Sequence, residues 1–177
     1  RDWSSDVCSS DLGVGTAAVQ IVSAIGARSI GTCSGSKVAA VRALGADVVV
    51  DYTTQDFVQE AAKATGGRGV DVVLDVIGGN YLDRNVAALA LKGRIVQVGV
   101  MGGGKVEFNL AALMPKRASL TGTVLRARPL EEKIALAQKF AAEMLPLFDA
   151  GRLKPVIDSR FSLDQIADAH QIGRAHV

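Results

Sequence analysis

Apolar strands alternate with helical segments through most of the chain, and this alternation limits the fold more than any other feature. The candidate strands are rich in valine and isoleucine and begin about every 23 residues; they are 28–33, 47–51, 70–79, 93–100 and 118–125. Helical patterns or glycine turns separate them. Strands and helices at this spacing form βαβ units with right-handed crossovers. The sequence therefore predicts a doubly wound α/β domain with a parallel sheet.

Composition fits one ordinary domain and argues against several functions. The chain has 177 residues, 49% of them hydrophobic, and a formal net charge of +2. This balance predicts no nucleic-acid surface, and no apolar run reaches the ~20 residues of a membrane span. Two cysteines without a CxxC motif form neither a disulfide framework nor a zinc cluster. We expect a cytoplasmic protein that binds neither nucleic acid nor membranes.

The two ends of the chain differ from the segment between them. The glycine turn at residue 13 should follow a buried apolar strand, but residues 1–12 contain three aspartates and four serines and do not resemble a strand. DVCSSDL at 6–12 also matches the antisense translation of QIGRAHV at 171–177 at all seven codons. We interpret 1–12 and 171–177 as translated sequencing adapter, and we expect the native first strand to be missing.

The segment 129–170 departs from the strand–helix rhythm. An apolar stripe predicts a long helix after Pro129, and 152–163 is predicted to form a strand. Ser162 and Gln165 have the spacing of a capping box that opens a last helix. We therefore divide the chain into a Rossmann domain at 13–128 and a helix–strand–helix segment at 129–170, which we expect to belong to a missing catalytic domain.

The segment GVGTAAVQ opens the first helix with Gly13, Val14 and Gly15. Glycine at this point of a dinucleotide fold permits a tight turn and lets backbone N–H groups approach a pyrophosphate. Ala18 stands where the usual fingerprint has its third glycine. The half-motif predicts a dinucleotide site, and a plain helix start is the alternative.

The residues after the next strand favour NADPH over NADH. NAD sites carry an acidic residue about 20 positions after the glycine motif, but no Asp or Glu lies between Gly13 and Asp47. Ser34 and Lys37 instead offer a hydroxyl and a cation to a 2′-phosphate, and Tyr52 is placed to close over it. The alternatives are an exposed helix-start lysine and an ordinary rim tyrosine.

Further turns at strand ends are predicted to face the nicotinamide half of the cofactor, because ligands of open α/β sheets lie outside the carboxyl ends of the strands. These positions are Gly78, Val98, Gly99, Met101 and Leu125. Ordinary loop glycines are the alternative at both turns. Asp71 and Asp75 are predicted to be structural, His170 is predicted to lie on a helix face, and we assign no catalytic residue and no metal ligand.

Three segments resemble a known family. GVGTAAVQIVSAIGAR, GVDVVLDVIGGNYLDRNVAALALKGRIVQVGVMGGG and KRASLTGTVLRAR resemble the NADPH:quinone oxidoreductase branch of the medium-chain dehydrogenase/reductase superfamily, and within it the tumour-suppressor-inducible quinone oxidoreductase group. The resemblance covers 13–170. It implies a zinc-free, two-domain, homodimeric enzyme that transfers hydride from NADPH to a quinone or related enone.

The family's nucleotide-binding positions would fall on Gly13, Val14, Gly15, Ser34, Lys37, Tyr52, Gly78, Val98, Gly99, Met101 and Leu125. A chain without the family's N-terminal catalytic domain is expected to be inactive by itself. A 2-enoyl reductase of the same superfamily is one alternative function. A non-catalytic nucleotide-binding or RNA-binding module is another.

Overall fold

A computed structural model describes the backbone of residues 6–9, 13–157 and 159–175. Its centre is a six-stranded sheet in the order β3-β2-β1-β4-β5-β6, with every neighbouring pair parallel. The strands are β1 (Asp6–Ser9), β2 (Ile30–Cys33), β3 (Val48–Asp51), β4 (Val70–Asp75), β5 (Leu89–Gln97) and β6 (Ser119–Gly122). This is the strand order of dinucleotide-binding domains, so the predicted doubly wound α/β fold is confirmed.

Helices connect the strands and cover both faces of the sheet. They are α1 (Gly13–Ala24), α2 (Val38–Ala43), α3 (Phe57–Ala64), α4 (Tyr81–Ala88), α5 (Leu130–Glu143), α6 (Leu145–Asp149) and α7 (Ile166–Ala175), with short 3-10 helices at Gly35–Lys37, Leu110–Ala112 and Leu163–Gln165. Each face of the sheet has its own hydrophobic core, and successive side chains of β2 point alternately to the two faces. Ile30 joins the cluster of α3 and α4, whereas Cys33 joins that of α1 and α2.

The position of the first strand is filled. Val7 pairs with Ile30 of β2 and with Val73 of β4, so β1 lies in the middle of the sheet. Without it, β2 and β4 would expose unpaired backbone groups at the centre of the fold, and this demand outweighs the polar composition of the segment. The prediction that these residues form no strand is therefore wrong. The adapter interpretation of 1–12 and 171–177 stays a prediction.

The segment from 129 onward differs from its predicted structure in two places. The long helix is divided into α5 and α6 at Leu145, with Pro146 in the first turn of α6, where its missing N–H costs nothing. No strand forms in the described part of 152–163. The Gln20 side chain instead bonds both backbone groups of Lys154, donating to its carbonyl at 3.1 Å and accepting from its N–H at 2.9 Å. A strand at Lys154 would need those groups for a neighbouring strand.

The last helix begins as predicted. The Ser162 N–H donates to Oε1 of Gln165 at 3.2 Å, which is the backbone half of the capping box. The assignment of 129–170 to a second domain stays a prediction. Within the described ranges, no helix combines the length and apolar character that crossing a membrane requires.

Candidate functional site

The carboxyl ends of the six strands form one edge of the sheet, and every predicted site residue follows one of these ends. Gly13, Val14 and Gly15 open α1 after β1; Ser34 and Lys37 follow β2; Tyr52 follows β3; Gly78 follows β4; Val98, Gly99 and Met101 follow β5; and Leu125 follows β6. The order of the strands reverses between β1 and β4. Ligands of open α/β sheets bind in the crevice at such a reversal, so this edge is the candidate site.

The beginning of α1 lies at this reversal. A Cβ added to Gly13 would meet no atom within 4 Å; within the same first turn of α1, Val14 is exposed and Gly15 is buried. The first turn of this twelve-residue helix carries no acidic side chain. The first N–H groups of a helix have no partner within the helix and attract anions. The open space beside Gly13 and a first turn of α1 without an acidic side chain suit a pyrophosphate group.

Residues 34–37 and 51–53 lie side by side, and we call them the β2–β3 rim. Cys33 and Asp51 are register partners at the ends of β2 and β3, and the Tyr52 N–H donates to the Cys33 carbonyl at 3.1 Å. Ser34 accepts from the Lys37 N–H at 2.9 Å through its carbonyl, which closes the turn. The Tyr52 side chain is 44% exposed. The structure thus brings Ser34, Lys37 and Tyr52 to one rim.

Sequence reasoning missed one residue of this rim, Asp51. Its Oδ1 accepts from the Thr53 N–H at 3.0 Å and from the Thr53 hydroxyl at 2.6 Å. Its Oδ2 lies 2.6 Å from the place that a Cβ on Gly35 would take. The hydroxyl bond from Thr53, followed by the backbone bond, lowers the pKa of Asp51 below its usual value. Asp51 belongs to β3 and reaches the end of β2 only through the register of the parallel pair, so no local sequence pattern indicates its position.

Residues 76–79 and 98–103 form a second rim, the β4–β5 rim, in which backbone contacts backbone. The Val98 N–H donates to the Asp75 carbonyl at 2.8 Å, and the Gly102 N–H donates to the Ile77 carbonyl at 2.7 Å. A Cβ on Gly79, whose φ is +57°, would lie 2.5 Å from the Gly102 oxygen. A Cβ on Gly99 would lie 2.8 Å from the Val76 oxygen. These glycines are explained by the close approach of two turns.

Asp75 holds the first of these turns. Its side chain is buried, and Oδ1 accepts from the N–H groups of Ile77 at 2.7 Å and Gly78 at 2.9 Å. Oδ2 accepts from the Asn85 amide at 2.8 Å. Asp71 forms a two-bond ion pair with Arg68 at 2.6 and 2.7 Å. Both aspartates therefore have the structural roles predicted for them.

A cavity of about 250 Å³ lies between the two rims. Tyr52, Thr32, Ile77, Tyr81 and Asn85 are among its lining residues. This volume is below the ~300–1,000 Å³ of typical small-molecule pockets, so the cavity has room for only part of a dinucleotide. Among the predicted site residues, Tyr52 alone lines this cavity. Gly13 instead borders a pocket with Gln20 and Lys154, and Leu125 lines a separate groove against α5 with Leu136 and Phe140.

The described residues contain no group of three or more His, Cys, Asp and Glu side chains that could hold a metal ion. These residues therefore offer no set of ligands for a zinc ion, and the zinc-free enzyme that the resemblance implies stays a prediction. The acidic side chains near the candidate site are already engaged with backbone donors, Asp75 with Ile77 and Gly78, and Asp51 with Thr53.

Comparison with known proteins gives a family match and many structural matches. The family of zinc-binding dehydrogenases matches residues 13–143. No curated protein matches the chain at a significant level. An alcohol dehydrogenase superfamily protein from Novosphingobium aromaticivorans is 33% identical with a TM-score of 0.80, and the match covers 100% of this chain and 53% of that one.

Two other solved structures differ in activity from each other. Escherichia coli quinone oxidoreductase complexed with NADPH is 28% identical with a TM-score of 0.77, and the match covers 89% of this chain and 48% of that one. The CurK enoyl reductase is 29% identical with a TM-score of 0.75, with 98% of this chain and 51% of that one covered. The chain thus spans about half the length of the solved structures that it resembles.

Proposed function

The chain belongs to the zinc-binding dehydrogenase family, and we propose that it is the nucleotide-binding half of an oxidoreductase that transfers hydride from NADPH to a quinone or related enone. Its similarity to solved quinone oxidoreductases confirms the resemblance to the medium-chain dehydrogenase/reductase superfamily. The observation that carries the proposal is the position of the α1 N-terminus. It lies at the reversal of strand order, with Ser34 and Lys37 at the next strand end.

Each part of the carboxyl edge has a role in this proposal. Gly13, Val14 and Gly15 would hold the pyrophosphate through backbone N–H groups. The donors for the 2′-phosphate would be Ser34, Lys37 and Tyr52. NADPH supplies the hydride when bound, and the protein binds and orients it.

The nicotinamide half would lie on the far side of the reversal. Gly78, Val98, Gly99 and Met101 form the β4–β5 rim there, which the Asp75 bonds and the backbone bonds between the two turns hold in place. We assign Leu125 to the same half, although it borders the groove against α5. A preformed rim orients a bound ring without a rearrangement of its own, which is the contribution expected of a protein in cofactor chemistry.

The remaining parts of the whole enzyme are also proposals. A second domain would supply the other wall of the substrate pocket, and the whole protein would be a cytoplasmic homodimer. The partners would be small quinones or enones, and we propose neither nucleic acid nor membranes as partners. Exposed apolar side chains on α5, among them Ile134, Leu136 and Phe140, are consistent with a covering domain.

A 2-enoyl reductase is the second candidate, because the CurK enoyl reductase is as similar to this chain as the quinone oxidoreductase. Both reactions deliver hydride from the same half of the nucleotide to a conjugated double bond or carbonyl. The proposed nucleotide site would serve either substrate. The two candidates would therefore differ in the part of the substrate pocket that a second domain would supply.

The experiment that tests the proposal is a titration of the full-length protein with NADPH and NADH, followed by cofactor fluorescence. We expect tighter binding of NADPH, and the variant Lys37→Gln should weaken NADPH binding about tenfold while changing NADH binding less than about twofold. Lys63→Gln is the matched control, since Lys63 is an exposed lysine on α3. Both variants should then be assayed with a quinone and with a 2-enoyl thioester.

Three results would contradict parts of this proposal. Equal binding of NADPH and NADH, with no effect of Lys37→Gln, would overturn the 2′-phosphate assignment. Binding of neither nucleotide would overturn the oxidoreductase proposal. Turnover of the enoyl thioester alone would replace the quinone by the second candidate.

A further inference from the structure

We propose that Asp51 is a specificity-determining residue of the nucleotide site, whose carboxylate limits the preference for NADPH and lets the site accept NADH as well. This inference rests on the proposed function. It goes beyond that function because it assigns selectivity between NADPH and NADH to Asp51 at the end of β3. The charge of Asp51 would oppose that of Lys37 in the turn after β2.

The position of the carboxylate carries the first step. Asp51 is the register partner of Cys33, so it lies beside the residues that follow β2. Its Oδ2 lies only 2.6 Å from where a Cβ on Gly35 would be, which means that the carboxylate contacts the middle of the turn 34–37. In that turn, Gly35 directly follows Ser34 and lies two residues before Lys37. The carboxylate therefore lies beside the turn that carries two of the proposed phosphate donors, Ser34 and Lys37.

The orientation of the carboxylate carries the second step. Both bonds from Thr53, at 3.0 Å from its N–H and 2.6 Å from its hydroxyl, go to Oδ1. They anchor the side chain in the rotamer that leaves Oδ2 against Gly35. Because these donors favour the charged form, they lower the pKa of Asp51. The side chain is an anion at neutral pH.

The chemistry of the two cofactors carries the third step. A carboxylate at the rim accepts hydrogen bonds from the ribose hydroxyls of NADH, which is the task of the acid at the end of β2 in NAD sites. The 2′-phosphate of NADPH has no hydroxyl to donate and repels the carboxylate. Lys37 attracts the same phosphate. The two charges act in opposite directions, so we expect a moderate preference for NADPH and measurable use of NADH.

The test is the ratio of NADH to NADPH dissociation constants in the full-length protein and in Asp51→Asn. This variant keeps an oxygen for Thr53 and removes the charge. We expect the ratio to shift about tenfold toward NADPH, through tighter NADPH binding and weaker NADH binding. Asp71→Asn is the matched control, because it removes one negative charge at the start of β4, on the opposite edge of the sheet. It should change the ratio less than about twofold.

A second variant protects the test against misfolding. Asp51→Ser also removes the charge and should shift the ratio in the same direction. An unchanged ratio in the variants, with NADPH still bound, would overturn the role of Asp51 and leave the proposed function standing. Failure of the wild-type protein to bind either nucleotide would overturn both.

Discussion

The two rims at the carboxyl edge of the sheet are built in different ways. In the β4–β5 rim, two turns bond to each other through their backbones, and Gly79 and Gly99 are required because neighbouring carbonyl oxygens lie within 2.8 Å of any added Cβ. In the β2–β3 rim, a side chain, Asp51, lies against the turn. A glycine between backbones is required by the fold, whether or not a ligand binds. By our proposal, the charged side chain beside the exposed turn instead changes which ligand binds there.

Removal of the Asp75 carboxylate should destabilise the β4–β5 rim more than any other change considered. We expect Asp75→Ala to lower the free energy of unfolding by about 3 kcal/mol or more, because two backbone N–H groups and the Asn85 amide lose their acceptor in a buried place. Urea unfolding of the chain measures the loss. Asp71→Ala is the control, since its partly exposed ion pair should contribute less than about 1 kcal/mol. Equal losses in the two variants would contradict a special role of Asp75.

The next largest effect should come from Gly79→Ala. The added Cβ would lie 2.5 Å from the Gly102 oxygen at a φ of +57°, so both sterics and conformation oppose it. We expect a loss of about 2 kcal/mol, measured as a shift of the urea midpoint. At Gly104 an added Cβ meets only a methyl group of Val100 at 3.9 Å, and Gly104→Ala should change stability by less than about 0.5 kcal/mol. A tolerated Gly79→Ala would show that the turns can separate, and the contrast between the rims would fail.

Residues that act through local pattern were predictable from the sequence, whereas those that act through neighbours were not. The strand ends before Ser34, Tyr52 and Gly78 follow from apolar runs and glycine turns, and the structure places all three at one edge. The proposed role of Asp51 depends on the parallel register of β2 with β3, which no local pattern contains. The strand expected at 152–163 is absent from its described part because a distant side chain, Gln20, bonds Lys154.

The first strand is the opposite case, because it forms where the local sequence predicts no strand. Its composition predicts no strand, yet Asp6–Ser9 completes the ladders of both β2 and β4. The energy of a central strand comes mainly from its two neighbours, since each backbone group left unpaired there is costly. Local propensity is a weak guide wherever the surrounding structure offers two ladders to one segment.

The smallest expected effect concerns Asp56, which follows the β2–β3 rim and begins α3 through its side chain. Its Oδ1 accepts from the Val58 N–H at 2.9 Å and from Arg84 at 3.1 Å. The backbone bond, followed by the Arg84 bond, lowers the pKa of Asp56. Asp56→Asn keeps a capping oxygen and removes the charge. Because the side chain is 43% exposed, water screens the pair, and we expect a loss of only a few tenths of a kcal/mol at pH 7.

The pH dependence gives this prediction its sign. The folded protein binds the proton of Asp56 less readily than the unfolded chain does, so the contribution of Asp56 is fully present above the ordinary carboxyl pKa of 3.8 and is lost as the pH falls through the lower folded value. The difference between the urea midpoints of wild type and Asp56→Asn should therefore be slightly smaller at pH 3 than at pH 7. An equal difference between the two midpoints at both pH values would mean that the Asp56 charge contributes nothing to the stability of α3. The capping oxygen alone would then begin that helix, and charge near the β2–β3 rim would matter for ligand choice without stabilising the fold.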